Sequence, residues 1–507
     1  MRVLFVTSEV YPLAKTGGLA DVSRALPDAL QRGGTDVRIL LPAYPAALAQ
    51  IEAPRIAARL PPLLGIEGAM LVRGRLPGTN VPVYLVHAPG LYQREGGPYC
   101  TADGQDWPDN AQRYAFLCHV AAALATGRTS LSWRPHVVHA NDWHAGLVPL
   151  LLSLESGLPP STVFTAHNMA FQGNFHPGSL PSIGIPANCF IGGDIEFYGQ
   201  LSFLKAGLRY ADRVTTVSPT YAGEVLTPEF GCGLDGLLRA RGGDFTGILN
   251  GIDTTSWDPA TDLHLPQTFH ASDIAGKRVC KAELQRAFGL PLSPEAPLIG
   301  FVSRLTHQKM ADTILEALPW LAARGAQFAL LGEGARALEA EFLRAQDRFE
   351  SCVSVRIGYD EAEAHRLQAG CDLLLAPARF EPCGLTQLYA LRYGTLPVVR
   401  RTGGLADTVV DATAETIAKR TATGFVFDDT TVDALVGVLE RALTLFREPL
   451  AWRLLQLQAM AQDFSWEASA ARYLALYYEA EREPLRPADG FTSALEPAAQ
   501  LARQVAL

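Results

Sequence analysis

The chain contains 507 residues, of which 48% are hydrophobic and 19% charged, and its formal net charge is −9. This length exceeds what one ordinary core accommodates, and the composition is typical of a globular protein without disordered or fibrous bias. The negative charge disfavours nucleic acid as a partner, because nucleic-acid-binding faces are usually basic. The eight cysteines form no CxxC pair, so neither a zinc knuckle nor a redox dithiol is predicted, and reduced cytosolic thiols are expected.

No apolar run approaches the roughly 18 residues that a bilayer-spanning helix needs. The first predicted strand begins at Arg2, which leaves no room for a leader peptide at the start of this sequence. We therefore expect no membrane partner and a cytoplasmic location.

Predicted strands and helices alternate along the chain, which is typical of βαβ units around a buried parallel sheet. The first series of β-branched or apolar runs covers 3–6, 37–41, 83–86, 137–140, 162–166 and 214–217. After a polar, proline-bearing stretch, a second series covers 298–302, 328–331, 353–357, 373–375 and 396–399.

This restart of the pattern indicates two large α/β domains. We place the boundary near residue 253, with an N-terminal domain over 1–253 and a C-terminal domain over 254–464. The final segment, 465–507, is predicted to be helical to about Arg482, and its tail from Pro484 is weakly patterned.

The hexapeptide TGGLAD occurs twice, at 16–21 and at 402–407, each time between a predicted strand and a predicted helix. Paired glycines let backbone amides approach a ligand, and a helix start favours anions, so the repeat predicts two anion-binding loops. Two tight turns that bind nothing are the alternative. The pyrophosphate fingerprint GxGxxG does not follow the first strand, which disfavours a dinucleotide-dependent dehydrogenase.

Two cations, Arg304 and Lys309, lie in the segment that follows the strand 298–302. Ligands of open α/β sheets bind beyond the carboxyl ends of the strands, and a guanidinium with an ammonium suits a departing diphosphate. A solvated basic loop is the alternative. Glu381 follows the strand 373–375, where a carboxylate near a helix start stays ionised, and the amides of Leu385 and Thr386 are candidate anion donors. An ordinary helix-terminal glutamate is the alternative for Glu381.

Several polar residues end strands of the first domain. His136 directly precedes the predicted strand 137–140 and His139 lies within it, so the two rings point to opposite faces and chelation of one metal by both is disfavoured. Asp142 and Trp143 follow that strand, and a carboxylate with an indole suits the hydroxyls and the apolar face of a sugar. His167 ends the next strand in the same manner, with a buried structural histidine as its alternative reading.

The motifs KTGGLADV, HANDWH, TAHNMAFQG, GILNGIDT, SRLTHQK, FEPCGLTQ and RTGGLADTV occur in this order and resemble bacterial glycogen synthases and plant starch synthases. The resemblance runs from residue 1 to about residue 480. It implies a retaining glycosyltransferase of the α/β GT-B fold, with two Rossmann-like domains facing across a deep cleft. It further implies transfer of glucose from ADP-glucose to the 4-hydroxyl of an α-1,4-glucan such as glycogen, without a metal or another cofactor.

The same resemblance implies individual roles. Residues implied for the chemistry are Glu381 as the essential carboxylate, His167 in the glucose pocket, and Arg304 and Lys309 on the diphosphate. Residues implied for substrate binding are Lys15, Gly18, Asp21, Tyr99, Asp142, Asn168, Asn250, Tyr359, Cys383, Gly384, Leu385 and Thr386. Tyr359 is placed at the adenine, Asn250 at the end of the first domain, and the final helix is expected to cross back to that domain.

The chain departs from the family pattern at three positions. Met310 replaces a usual glycine beside Lys309, Phe171 replaces a common tyrosine, and Tyr389 stands where many retaining GT-B enzymes have a second glutamate, a replacement typical of the synthases. Three rival functions stay open. They are a UDP-glucose-dependent enzyme of this fold, a pyridoxal-phosphate-dependent glucan phosphorylase and a non-catalytic glucan-binding protein. The oligomeric state is not predicted.

Overall fold

The computed structural model describes residues 1–483, which form two compact units. Unit 1 comprises Met1–Thr216, Val225–Thr246 and the described residues from 470 onward, whereas unit 2 comprises Val217–Glu224 and Gly247–Ser469. Asn250 lies in unit 2. The domain bounds 1–253, 254–464 and 465–507 stay a prediction, and the tail from Pro484 lies outside the described residues.

Unit 1 is built on a nine-stranded sheet with the order β12-β11-β7-β6-β1-β2-β5-β4-β3. Its strands are β1 (Arg2–Val6), β2 (Asp36–Pro42), β3 (Glu52–Arg59), β4 (Met70–Arg75), β5 (Pro82–His87), β6 (Val137–Asn141), β7 (Ser161–Ala166), β11 (Arg213–Thr216) and β12 (Phe245–Gly247). The six strands predicted from the sequence are confirmed, and they pair in parallel. They are buried along almost their whole length, which explains their continuous apolar runs.

The remaining strands of unit 1 were missed. β3 and β4 form an antiparallel edge beside β5, and a separate three-stranded sheet contains β8 (Asn174–Phe175), β9 (Glu196–Phe197) and β10 (Gln200–Ser202). The helices of unit 1 are Gly18–Arg32, Pro45–Gln50, Pro89–Tyr92, Asn110–Ala125, Leu147–Ser153, Leu180–Ile183, Ala187–Ile191, Phe203–Tyr210 and Asp235–Arg241, with residues 470–482 of Trp466–Arg482.

Unit 2 contains a six-stranded, wholly parallel sheet with the order β15-β14-β13-β16-β17-β18. Its strands are β13 (Leu298–Val302), β14 (Gln327–Gly332), β15 (Val353–Ile357), β16 (Leu373–Leu375), β17 (Leu396–Arg400) and β18 (Phe425–Phe427). Counted within the unit, this is the Rossmann order 3-2-1-4-5-6. Its helices are Pro219–Glu224, Gly276–Ala287, Ala311–Ala323, Arg336–Arg348, Glu361–Gly370, Thr386–Arg392, Gly403–Thr408, Ala414–Ala418, Val432–Phe446 and Pro449–Met460. Within residues 1–483, no helix is both long and apolar enough to span a bilayer.

His136, just before β6, and His139, within β6, have separate partners within unit 1. His139 is fully buried, and its ring nitrogens lie 2.7 Å from Tyr477 Oη and 2.7 Å from Thr165 Oγ1. Burial lowers the pKa of His139 to about 3, so the ring is neutral at physiological pH. His136 instead meets the guanidinium of Arg2 at 2.8 Å. His139 therefore helps to attach the last helix to the sheet.

Candidate active site

The candidate site of unit 1 lies where the sheet order reverses. β1 lies between β2 and β6, so the loops that follow β1 and β6 leave the sheet side by side at its carboxyl edge. Open α/β sheets form their ligand crevice at this point. The first TGGLAD copy follows β1, and Asp142 follows β6 directly.

A buried glutamate holds the first glycine loop in place. Glu9 is 3% exposed, and its carboxylate accepts hydrogen bonds from the amides of Thr16 and Gly17, the latter at 3.0 Å, and from Tyr99 Oη. Burial raises the pKa of Glu9, while these donors act in the opposite direction. Tyr99 also bonds Ser8 Oγ at 2.8 Å. Tyr99, which was predicted to contact the donor, is therefore linked through Glu9 to the loop that contains Lys15.

The first glycine loop is open to solvent. A Cβ atom added at Gly17 or at Gly18 would meet no atom within 4 Å, and Gly18 begins the helix Gly18–Arg32. Lys15 Nζ lies 2.9 Å from Asp21 Oδ1, and both side chains are about one-third exposed, at 39% and 32%. The predicted donor contacts Lys15, Gly18 and Asp21 thus lie together where this loop enters its helix, and the free space above the glycines permits close approach of a ligand.

Asp142 has a strained backbone and a perturbed carboxyl. Its φ of 55° and ψ of 179° lie in a region that is essentially restricted to glycine. The amide of His167 donates to Asp142 Oδ1 at 2.7 Å. Burial, aided by the charge of Glu9, raises the pKa of Asp142 to about 7, whereas the backbone donors at His167 and Asn168 act against the rise. Such strain beside a perturbed acid is frequent at functional sites.

His167 is a neutral ring with an assignable tautomer. Burial lowers its pKa to about 3. The amide nitrogen of Asn141 donates to the carbonyls of Val6 and His139, which leaves Asn141 Oδ1 facing His167 Nε2 at 3.1 Å. Because that oxygen only accepts, Nε2 bears the proton and Nδ1 is an acceptor. His167 is therefore suited to receive a hydrogen bond from a hydroxyl group.

Aromatic rings pack around Trp143, directly after Asp142. Its indole lies 3.9 Å from the ring of His144 and 5.0 Å from that of Tyr114, and Tyr99 stacks on His144 at 4.5 Å. A Cβ atom at Gly173 would come within 2.4 Å of the indole, so this position requires glycine, and its φ is 58°. The loop after Asn168 therefore packs directly against Trp143.

The candidate site of unit 2 also lies at a reversal of strand order, between β13 and β16. The loop after β13 contains Arg304 and Lys309, and the loop after β16 contains Glu381. Lys309 Nζ forms an ion pair with Glu381 Oε2, and the two side chains are 21% and 12% exposed. Arg304 is exposed, and within residues 1–483 no side chain pairs with its guanidinium. The structure thus joins the predicted catalytic carboxylate to one of the two predicted diphosphate cations.

The loops that contain Lys309 and Glu381 are connected directly. Arg379 forms a two-bond pair with Asp312, at 2.9 Å to each carboxylate oxygen. The amide of Arg379 donates to Gln308 O at 2.8 Å, and Gln308 Nε2 donates to Phe380 O at 3.1 Å. These contacts fix the separation of the two loops, so they hold Lys309 and Glu381 in position for their ion pair.

The segment after Glu381 leads into a helix that begins at Thr386, with Leu385 at its N-cap. Gln387 is fully buried, and its Nε2 donates to Cys383 O at 3.1 Å and to Gly384 O at 3.0 Å. Gly384 has a φ of 76°. Burial raises the pKa of Cys383 to about 12, with a backbone contact from the buried Asn250 acting against it, so this thiol is not a nucleophile at neutral pH.

The second TGGLAD copy differs from the prediction of an anion-binding loop. Thr402, Gly403 and Gly404 are all buried. The amide of Gly403 donates to Glu224 Oε1 at 2.9 Å, and a Cβ atom at Gly404 would lie 2.3 Å from Cys383 O. Since the amides are used within the protein and the space above them is filled, this copy is a packing element. The prediction of an anion-binding loop is therefore wrong for the second TGGLAD copy.

The structure also locates the departures from the family pattern. Met310 adopts a left-handed backbone with φ 51° and ψ 32°, and its side chain is completely buried in the core of unit 2. This is the conformation in which a glycine is unstrained. Tyr389 stacks on Trp257 at 3.8 Å between centroids. Tyr359 is 60% exposed just beyond β15, and Phe171 is 59% exposed.

Sequence reasoning missed several residues that organise these loops. Glu9, Gln387 and Glu224 each hold glycine-bearing backbone through a carboxylate or an amide. Gln387 lies within the recognised motif FEPCGLTQ, so its position was an available signal, whereas Glu9 precedes the motif KTGGLADV and is separated from it by residues 10–14. Glu224 lies in none of the motifs. Within residues 1–483, no group of three or more potential metal ligands lies close enough together to bind a metal ion.

Comparison with known proteins assigns the family. Residues 2–240 match the starch synthase catalytic domain, and residues 285–452 match glycosyl transferases group 1. A glycogen synthase of Burkholderia thailandensis is 53% identical over 99% of this chain and 94% of its own length, and one of Paramagnetospirillum magneticum is 51% identical over 94% and 97%.

Solved structures agree. The catalytic domain of starch synthase IV from Arabidopsis thaliana, bound to ADP and acarbose, superposes with a TM-score of 0.84 at 33% identity, covering 95% of this chain and 99% of that one. Sucrose-phosphate synthase from Thermosynechococcus elongatus, at 15% identity and a TM-score of 0.58 over 94% and 98% of the two chains, shares the fold alone. The predicted α/β GT-B fold class is confirmed, and the chain belongs to the family of bacterial glycogen synthases and starch synthases.

Proposed function

We propose that this enzyme transfers glucose from ADP-glucose to the non-reducing end of an α-1,4-glucan, with retention of the anomeric configuration, and so elongates glycogen. The observation that carries the proposal is the Lys309–Glu381 ion pair at the strand-order reversal of unit 2, in a chain about half identical to glycogen synthases. ADP as the nucleotide is supported by the related starch synthase IV, which was solved with ADP.

The charges that develop during the reaction explain the roles of Lys309, Arg304 and Glu381. Cleavage of the bond between sugar and phosphate develops positive charge at the anomeric carbon and negative charge on the diphosphate. Lys309 and Arg304 stabilise the negative end, helped by the backbone at Leu385 and Thr386. Glu381 stabilises the positive end. The departing phosphate oxygen takes the proton of the acceptor hydroxyl on the same face, which preserves the anomeric configuration without a covalent intermediate.

Unit 1 residues recognise the sugar in this proposal. The Nδ1 acceptor of the neutral His167 receives a hydrogen bond from a glucose hydroxyl, and Asp142 and Asn168 bind neighbouring hydroxyls. Lys15 and Asp21 contact the donor beside the open glycines, where the absence of a side chain at Gly18 lets a ligand approach the backbone. Tyr99 contacts the donor from unit 1. Within unit 2, Asn250, Cys383 and Gly384 bind the donor and Tyr359 contacts the adenine.

Incorporation of labelled glucose into glycogen tests the proposal. We expect incorporation from ADP-glucose, little from UDP-glucose and none without a glucan primer. Glu381→Gln should abolish most of it, whereas Glu415→Gln, which removes a carboxylate from the surface pair with Lys419, should not. Preference for UDP-glucose would favour the related UDP-glucose enzymes. No incorporation from either donor, together with retained glycogen binding, would make the protein a glucan-binding module.

A further inference from the structure

The short segment 217–224 contacts the loops around Glu381 from within unit 2. Ser218 is fully buried, and its hydroxyl donates to Pro382 O at 2.7 Å. The amide and hydroxyl of Thr220 donate to the two carboxylate oxygens of Asp407, at 2.8 Å and 2.7 Å. The chain on either side of this segment belongs to unit 1. The eight residues 217–224 thus form hydrogen bonds with the rest of unit 2 at the second TGGLAD copy and at Pro382, the residue after Glu381.

Glu224 completes this set of contacts. Its Oε1 accepts a hydrogen bond from Thr402 Oγ1 at 2.9 Å and another from the amide of Gly403 at 2.9 Å. Charge-assisted bonds of this kind are roughly twice as strong as neutral ones. Glu9 acts in the same way on the first copy, where it accepts from the amide of Gly17. Each TGGLAD copy therefore has its own glutamate acceptor.

The second copy in turn supports the backbone of Glu381. The amide of Gly404 donates to Glu381 O at 3.2 Å and to Pro382 O at 3.3 Å. A Cβ atom at Gly403 would lie 1.8 Å from Glu381 O, so the two backbones touch without an intervening side chain. A displacement of Gly403 is therefore transmitted directly to the peptide group of Glu381.

We propose that Glu224 is a positioning residue for Glu381. It fixes the second TGGLAD copy, which holds the peptide group of Glu381 so that its carboxylate meets Lys309 and the reacting sugar. This inference rests on the proposed function of Glu381. Because misplacement of a catalytic group by about 1 Å can cost about 100-fold in rate, loss of this support should lower turnover more than donor binding.

The test compares substitutions at Glu224 by steady-state kinetics with ADP-glucose and glycogen. For Glu224→Ala we expect kcat to fall at least ~10-fold and the KM for ADP-glucose to change less than ~3-fold. Glu224→Gln keeps an oxygen acceptor for Thr402 and Gly403 and should restore kcat to within ~3-fold of the wild type. Thr431→Val is the control, because it removes an N-cap bond on the helix Val432–Phe446 and perturbs stability alone.

A double substitution separates positioning from general destabilisation. If Glu224 acts through Glu381, Glu224→Ala should cost less than ~2-fold in kcat when Glu381 is already glutamine. An equal loss in both backgrounds, a similar loss in Thr431→Val, or full activity of Glu224→Ala would overturn the proposal. Should Glu224→Ala not fold, Ser218→Ala takes its place, with an expected loss of about 3-fold or more in kcat and the same absence of loss when Glu381 is already glutamine. An inactive wild type would refute the proposed function instead.

Discussion

Replacing Asp142 with asparagine should change how the stability of the protein depends on pH. Burial raises the pKa of Asp142 from 3.8 to about 7, so the folded protein binds this proton more tightly than the unfolded chain does. Ionisation of Asp142 therefore opposes folding. The penalty is absent below pH ~4, grows between pH ~4 and ~7, and is complete above that range.

The size of the penalty follows from the difference in pKa. A rise of the pKa from 3.8 to about 7 corresponds to about 4 kcal/mol as an upper limit. Asp142 is only partly shielded from solvent, so screening reduces the effect, and we expect ~1–3 kcal/mol. Asparagine preserves the size of the side chain, and it tolerates a positive φ better than most residues. The substitution thus removes the charge with little change in backbone strain.

The assay is urea unfolding of both proteins at pH 5 and pH 8, followed by circular dichroism. We expect the stability of Asp142→Asn relative to the wild type to increase by ~1–3 kcal/mol between these two values. Asp28→Asn, which removes a carboxylate from the partly exposed pair with Arg32 in the same unit, is the control and should change far less. Equal pH dependence of Asp142→Asn and the wild type would refute the reasoning, because the carboxyl would then not be perturbed.

Four further predictions concern the loops of the two candidate sites. Glu381→Gln should lower kcat at least ~100-fold, or about 2.7 kcal/mol, in glucan synthesis, and unchanged turnover of the folded variant would remove Glu381 from the mechanism. Lys309→Ala should weaken ADP-glucose binding, measured by calorimetry, with the fold intact; equal affinity would contradict its role at the diphosphate. Gly18→Ala should keep the melting temperature and raise the KM for ADP-glucose, because its Cβ atom meets open space where a ligand must approach. Gly404→Ala should instead lower the melting temperature, since its Cβ atom would lie 2.3 Å from Cys383 O, and equal melting temperatures of these two alanine variants would contradict the different environments of the two loops.

The parallel strands were predictable because strands that are buried on both faces consist of continuous apolar runs. The run at 298–302 coincides with β13, for example, and all five of its residues are buried. The edge strand β3 was not predictable, because its eight residues, EAPRIAAR, are mostly exposed, contain Pro54 and show no clear alternation. The helix from Trp466 to Arg482 was predicted to begin one residue earlier.

The sequence predicted which loops form the site, since ligands bind at the carboxyl ends of parallel strands. It did not predict contacts between residues far apart in the chain. Glu381 pairs with Lys309 across 72 positions, and Glu224 reaches Thr402 across 178 positions. Such contacts depend on how the loops pack, and no local pattern specifies them.

The two TGGLAD copies show what a repeated motif does and does not specify. Both stand at the start of a helix, which begins at Gly18 in the first copy and at Gly403 in the second, and in both a glutamate accepts an amide hydrogen bond. At Gly18 the space above the backbone is open, whereas at Gly404 it is filled by Cys383. The motif therefore specifies a helix start whose glycine backbone can be approached closely, and the surroundings decide what approaches it. In unit 1 the approaching group is a ligand in our proposal, and in unit 2 it is the loop that contains Glu381.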